Sequence, residues 1–178
     1  MPAGANFDYS PYMEMAIEEA KRAYMEDEVP VGALVIDLEG DVIACAHNNC
    51  IKTNDPTAHA EILAIRKAGE LLSNYRLTNC VVICTLEPCV MCMGAMVNAR
   101  IQGLVFGARD PKAGACYSKI DFFNEINWTN HRFWIKGGIL SNTCGNLLKT
   151  FFSKKREKTI GEVPKSGHNG PDSKSGGR

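Results

Sequence analysis

The spacing of apolar side chains changes period several times along the chain, and each change marks an element. Ser10 and Pro11 form a cap and first-turn pair, after which Met13, Ala16, Ile17, Ala20, Ala23 and Tyr24 recur at helical spacing. A helix of about four turns is predicted there. The apolar run Val31 to Ile36, the turn signal Glu39-Gly40 and a second run Val42 to Cys45 predict a β-hairpin. Asp55-Pro56 opens a second helix, which carries His59, Ile62, Leu63 and Ile65 and closes near Lys67 and Gly69. Cys80 to Thr85 is a β-branched run of strand length. Pro88 starts a helix bearing Cys89, Cys92, Ala95 and Met96, and Ile101 to Phe106 reads as the next strand.

Strands alternating with helices over this stretch predict an α/β layer protein with parallel pairing across the crossover helices, made mixed by the initial hairpin. Residues 109–130 read as loop, followed by a short apolar run from Arg132 to Ile135. A last helix begins at Ser141-Asn142 and carries Leu147, Leu148, Phe151 and Phe152. From Ser153 onward there is no aromatic residue, and Ile160 and Val163 are the only large aliphatics. Such a segment cannot bury enough surface to offset its ordering entropy. The expected organisation is therefore one domain over residues 1–152 and a basic, disordered tail over 153–178, beginning as a fraying helix end.

Composition narrows this picture in two ways. With 178 residues, 45% hydrophobic and 22% charged, the chain has the make-up of one ordinary globular domain, which excludes collagen-like, coiled-coil and wholly disordered classes. Twenty basic residues balance twenty acidic ones, yet residues 153–178 hold seven basic and three acidic side chains. The neutral total is a cancellation between an acidic domain and a basic extension, so it does not argue against a nucleic-acid partner. The longest candidate for a membrane span, Cys80 to Val97, is broken by Glu87 and Pro88. No basic segment followed by an apolar run opens the chain, and a cytoplasmic protein is expected. Without that leader, eight cysteines read as thiols and metal ligands rather than a disulfide framework.

The candidate chemistry lies in His59-Ala60-Glu61 and Pro88-Cys89-Val90-Met91-Cys92. Cysteines at i and i+3 of a helix share a face, and the positive end of the helix dipole favours their thiolates. Two thiolates and an imidazole suit zinc and leave a fourth tetrahedral position open for water. Two thiolates also formally neutralise the ion, so its water is acidified less and a nearby proton acceptor becomes useful; Glu61 is placed for that role. Residues i and i+2 point apart on a helix, so His59 and Glu61 can address one centre only at a helix end. A closed structural site, with Cys84 or Cys50 as fourth ligand, and a thioredoxin-like redox pair are the competing readings of these residues. Cysteines 45, 50, 80, 84, 116 and 144 otherwise read as small buried hydrophobes or incidental thiols, and His47, His131 and His168 as surface or hydrogen-bonded residues.

These motifs form the zinc deaminase signature, with its non-ligand glutamate. The sequence resembles the cytidine deaminase-like superfamily, and within it the bacterial tRNA-specific adenosine deaminases. EVPVGA from Glu28, NDPTAHAEI from Asn54, NYRL from Asn74, TLEPCVMC from Thr85, GAMV from Gly94 and VFGARDPKAGA from Val105 carry the resemblance. It implies a three-layer sandwich around a central mixed five-stranded sheet, one zinc ion per subunit held by His59, Cys89 and Cys92, and Glu61 as proton shuttle. It further implies that Asn48, Val31 and the Leu86-Glu87 segment line the nucleoside pocket. Asp110 would then lie in the loop approaching RNA, and Phe151 with the following basic residues on a helix touching the anticodon loop. The implied activity is wobble adenosine to inosine conversion in a tRNA, an arginine tRNA being the expected substrate, by a homodimer. Two rivals share the motif: a deaminase of free bases or nucleosides such as guanine or cytosine, and a non-catalytic, zinc-containing RNA-binding subunit.

Overall fold

The computed structural model describes residues 7–126 and 129–161. Its elements run α1 (Ser10–Met25), β1 (Gly32–Asp37), β2 (Val42–His47), α2 (Cys50–Thr53), α3 (Ala60–Leu71) and β3 (Cys80–Leu86). They continue with α4 (Val90–Ala99), β4 (Gly103–Ala108), α5 (Phe122–Glu125), β5 (Trp134–Gly137) and α6 (Ser141–Gly161). The five strands form one sheet in the order β2-β1-β3-β4-β5. β1 pairs antiparallel with β2 and β3, whereas β3–β4 and β4–β5 are parallel, giving the expected mixed sheet.

Strand alternation builds the three layers. On β1, Ala33 and Val35 join the core that includes Ile62 and Ala64 of α3 and Met93 and Met96 of α4. Their neighbours Leu34 and Ile36 enter the core on the opposite face with Met13 and Ile17 of α1 and Cys144 of α6. β3 divides likewise, Val82 and Cys84 to one side and Val81 and Ile83 to the other. Because both faces are covered, these strands read in sequence as unbroken apolar runs. Gly32 is required for this stacking, since a Cβ there would lie 2.0 Å from the carbonyl oxygen of Ala16 on α1.

Several element edges differ from expectation for local reasons. Asp55-Pro56 does not start a helix: the Asp55 carboxylate accepts hydrogen bonds from the Thr57 N–H at 2.8 Å and hydroxyl at 2.7 Å, closing an Asx-type turn. The helix begins five residues after Asp55, at Ala60, and the short α2 precedes the turn, ended by Asn54 in the left-handed region. β4 starts at Gly103 rather than Ile101, because Arg100 is left-handed and Gln102 donates to the Cys80 carbonyl at 2.8 Å. α6 continues past residue 152 to Gly161, so the first part of the expected tail is helical, while residues 162–178 lie outside the described residues. Among the described residues no helix is long and apolar enough to cross a membrane.

Candidate active site

Two helix N-termini meet where the chain leaves β3. His59 is the N-cap of α3 and Cys89 the N-cap of α4, and neither side chain caps its own helix. Both are free to turn toward a common point, and Cys92, one turn into α4, joins them. His59 Nδ1 lies 3.7 Å from Cys89 Sγ and 3.5 Å from Cys92 Sγ, and the two sulfurs are 3.7 Å apart. Zn–S bonds of about 2.3 Å and Zn–N bonds of about 2.0–2.1 Å give tetrahedral edges of about 3.8 Å for S···S and about 3.6 Å for S···N. The three donor atoms therefore already stand at the corners of a zinc tetrahedron with one corner unfilled by protein. Cys84 does not join the cluster; its thiol donates to the Leu86 carbonyl at 3.1 Å. Cys50 is likewise not part of it.

The cluster's electrostatics follow from crowding two thiols and an imidazole. A hydrogen bond from Cys92, with a further one from His59, lowers the Cys89 thiol to about 4. Cys92 is pushed far up by that same thiolate neighbour and by burial. The hydrogen bond to Cys89 raises the His59 pKa. Glu61, in the first turn of α3 and 4% exposed, is raised by desolvation.

A cavity of about 200 Å³ opens beside the cluster, lined by His59, Glu61 and Cys89 together with Val31, Asn48, Leu86 and Asp110. These seven residues and Glu87, all expected at the site, thus surround one space, and Cys92 is buried beside His59 and Cys89. The chain is 44% identical over 146 residues to the tRNA-specific adenosine deaminase of Haemophilus influenzae, an alignment covering 82% of this chain and 84% of the relative. The chain belongs to the tRNA-specific adenosine deaminases. The Bacillus subtilis member is 41% identical over 147 residues, covering 83% of this chain and 90% of that one. The family model of MafB19-like deaminases matches residues 7–156. A solved structure from work on A-to-I editing by tRNA:A34 deaminases superposes with a TM-score of 0.74 at 42% identity, covering 78% of this chain and 99% of the other.

Within this deaminase fold one expected site residue is placed elsewhere. Phe151, expected to touch the anticodon loop, is turned inward: it is 5% exposed and packs edge-on to Tyr24 of α1, ring centroids 5.6 Å apart. Its neighbour Phe152 is the exposed ring, 42% accessible, with Lys112 Nζ 5.9 Å from its centroid. Successive helical residues point about 100° apart, so only one of the pair could be outside, and burial against α1 selects Phe152.

Beyond the expected Glu87, two further lining residues, Val29 and Ala113, complete the cavity. Val29 and Ala113 are small apolar members of the EVPVGA and VFGARDPKAGA stretches and carry no chemical signal by themselves. Glu87 carries one, since a carboxylate between a β-branched strand and a proline, in a run otherwise apolar, is a buried charge that needs partners. Its partners are four backbone N–H groups and a hydroxyl from residues 110–118.

Proposed function

We propose that this chain is a zinc-dependent hydrolytic deaminase that converts adenosine to inosine at the wobble position of a tRNA anticodon. The observation that carries the reading is the meeting of a tetrahedral His59, Cys89, Cys92 triad with buried Glu61 in one base-sized cavity. Zinc, when bound by these three residues, supplies Lewis acidity that makes water nucleophilic near neutral pH. Glu61 accepts the proton that the attacking water loses and delivers it to ring N1 as the water oxygen adds to C6. The hydroxyl added at C6 then gives up its proton, which passes through Glu61 to the exocyclic nitrogen, so the C6–N bond breaks to release ammonia and the ring retains the oxygen as a carbonyl.

Asn48 Oδ1 accepts a hydrogen bond from the Ala60 N–H at 2.9 Å, which leaves the amide NH2 as the group for an acceptor on the base. Val31 and Leu86 offer apolar surface to the ring. The cavity is smaller than the roughly 300–1,000 Å³ of drug-sized sites, which suits a single base extruded from a loop rather than a stacked nucleotide. Exposed Phe152, with Lys112 beside its ring, offers stacking and phosphate contacts to such a loop.

The finer reading is of a homodimer with one zinc per subunit, working in the cytoplasm on an arginine tRNA. The dimer is supported by the resemblance and by an apolar groove between α3 and α4 that includes Ile62, Ile65, Val90 and Ala95. Nuclease digestion and mass spectrometry of an arginine tRNA transcript incubated with the protein test the activity. A transcript with wobble adenosine gains inosine there, and one with wobble guanosine is unchanged.

A further inference from the structure

Glu87 links β3 to Pro88 and Cys89, and is 2% exposed. Its Oε1 accepts three consecutive backbone N–H groups, from Cys116 at 3.0 Å, Tyr117 at 2.7 Å and Ser118 at 3.0 Å. Its Oε2 accepts the Asp110 N–H at 3.1 Å and the Ser118 hydroxyl. Consecutive N–H groups converging on one oxygen form an anion nest, and here the anion is a side chain of the same protein. The loop it fills has no helix or strand from Arg109 to Asp121. Asp110 and Ala113 of that loop form one wall of the cavity.

Resting on the deaminase reading, we propose that Glu87 is a positioning residue whose carboxylate fixes the 110–118 loop as a wall of the base pocket, and so sets how the base is presented to Glu61. Five donors on two oxygens require a group that accepts at both. A glutamine in the same place accepts at one oxygen only and turns an NH2 toward the other donors. Gly114 shows how closely the loop is drawn in, since a Cβ there would lie 2.5 Å from Glu87 Cδ and 2.6 Å from the Asp110 carbonyl oxygen. The loop's remaining ties include Ala115 N–H to the Pro88 carbonyl at 2.8 Å and Gly114 N–H to the Asp110 carbonyl at 2.9 Å. Neither replaces the carboxylate at Cys116, Tyr117 and Ser118.

The test compares zinc-loaded full-length wild type, Glu87→Gln and Gly114→Ala by amide hydrogen exchange and by steady-state deamination of an arginine tRNA transcript. The expected result is faster exchange at the amides of Asp110, Cys116, Tyr117 and Ser118 in Glu87→Gln, with β3 and α4 amides unchanged. The KM for the transcript rises and kcat/KM per zinc-loaded molecule falls about ten- to a hundredfold. Gly114→Ala, which displaces the loop from the other side, shifts both readouts in the same direction. Unchanged loop exchange and KM overturn the proposal. So does exchange that accelerates equally through β3 and α4 with loss of zinc, which would mark Glu87 as a general stabiliser. Wild-type protein that leaves the transcript without inosine contradicts the deaminase reading instead, and loop exchange then decides the role of Glu87 by itself.

Discussion

Asn48 Oδ1 accepts a hydrogen bond from the Ala60 N–H at 2.9 Å, although Asn48 is twelve residues upstream, after a different element. The N-cap residue of α3, His59, has its ring turned to the two cysteines and makes no cap hydrogen bond. An unsatisfied N–H at a buried helix start is costly, so using the cap position for a metal ligand demands an acceptor from elsewhere. One asparagine both caps the helix that carries His59 and lines the cavity.

Replacing that residue in two ways separates its two jobs. Asn48→Ala removes the cap and lowers stability by about 1 kcal/mol, a fall in Tm of about 2–4 °C. Asn48→Asp keeps the acceptor for Ala60 and keeps the Tm, but it exchanges the amide donor for a second carboxylate near Glu61. Its kcat/KM falls at least about tenfold. Thermal melts beside inosine assays check this, and equal Tm losses in both variants would contradict the capping role.

Glu61→Ala and Glu61→Gln retain zinc and the fold and lose turnover by about 10²–10⁴-fold. The carboxyl's folded pKa is raised by burial, so its ionisation destabilises the fold as pH climbs from the ordinary carboxylate value toward that raised one. Glu61→Gln therefore melts no lower than wild type at pH 7. Metal analysis and calorimetry measure both effects. Zinc lost together with activity would make Glu61 a ligand.

Metal uptake should release protons in a pH-dependent number. With Cys89 lowered to about 4 by its hydrogen bond from Cys92, that sulfur is already a thiolate above about pH 5 and contributes none. Cys92, held up by the same thiolate and by burial, contributes one. His59, raised by its bond to Cys89, contributes a growing share as pH falls below its pKa. Titrating metal-free protein with zinc in weak buffer should release about one proton at pH 8 and nearer two at pH 6. About two protons at pH 8, rising toward three at pH 6, would mean that both cysteines start as thiols.

The aromatic pair on α6 divides by exposure. Phe151→Ala leaves a cavity against Tyr24 and costs about 3 kcal/mol of stability. Phe152→Ala, at an exposed position, leaves the Tm unchanged and weakens tRNA binding by about 1–3 kcal/mol. Melting and RNA-binding titrations of the two variants check the division, which reverses if Phe151 is the stacking ring.

What the sequence made legible and what it hid have distinct physical causes. The buried strands announced themselves because both faces are covered, which makes their apolar runs continuous. The meeting of His59, Cys89 and Cys92 was legible because metal chemistry restricts residue type and spacing, and Glu61, two residues from His59, lines the cavity beside them. Helix starts were less so: Asp55-Pro56 carries the signature of a helix entry yet spends its carboxylate on Thr57. Which of Phe151 and Phe152 faces solvent depends on where α1 lies, a tertiary fact no local pattern contains. The Glu87 nest gathers donors 23 to 31 residues away, so only the folded loop reveals them.

Wobble deamination is tested most directly by offering the zinc-loaded protein an arginine tRNA transcript with wobble adenosine alongside free adenosine, cytosine and guanine. Inosine at the wobble position, no ammonia from the free compounds, and no product with Glu61→Ala are the expected results. Ammonia from a free base with no inosine in the RNA would contradict wobble deamination.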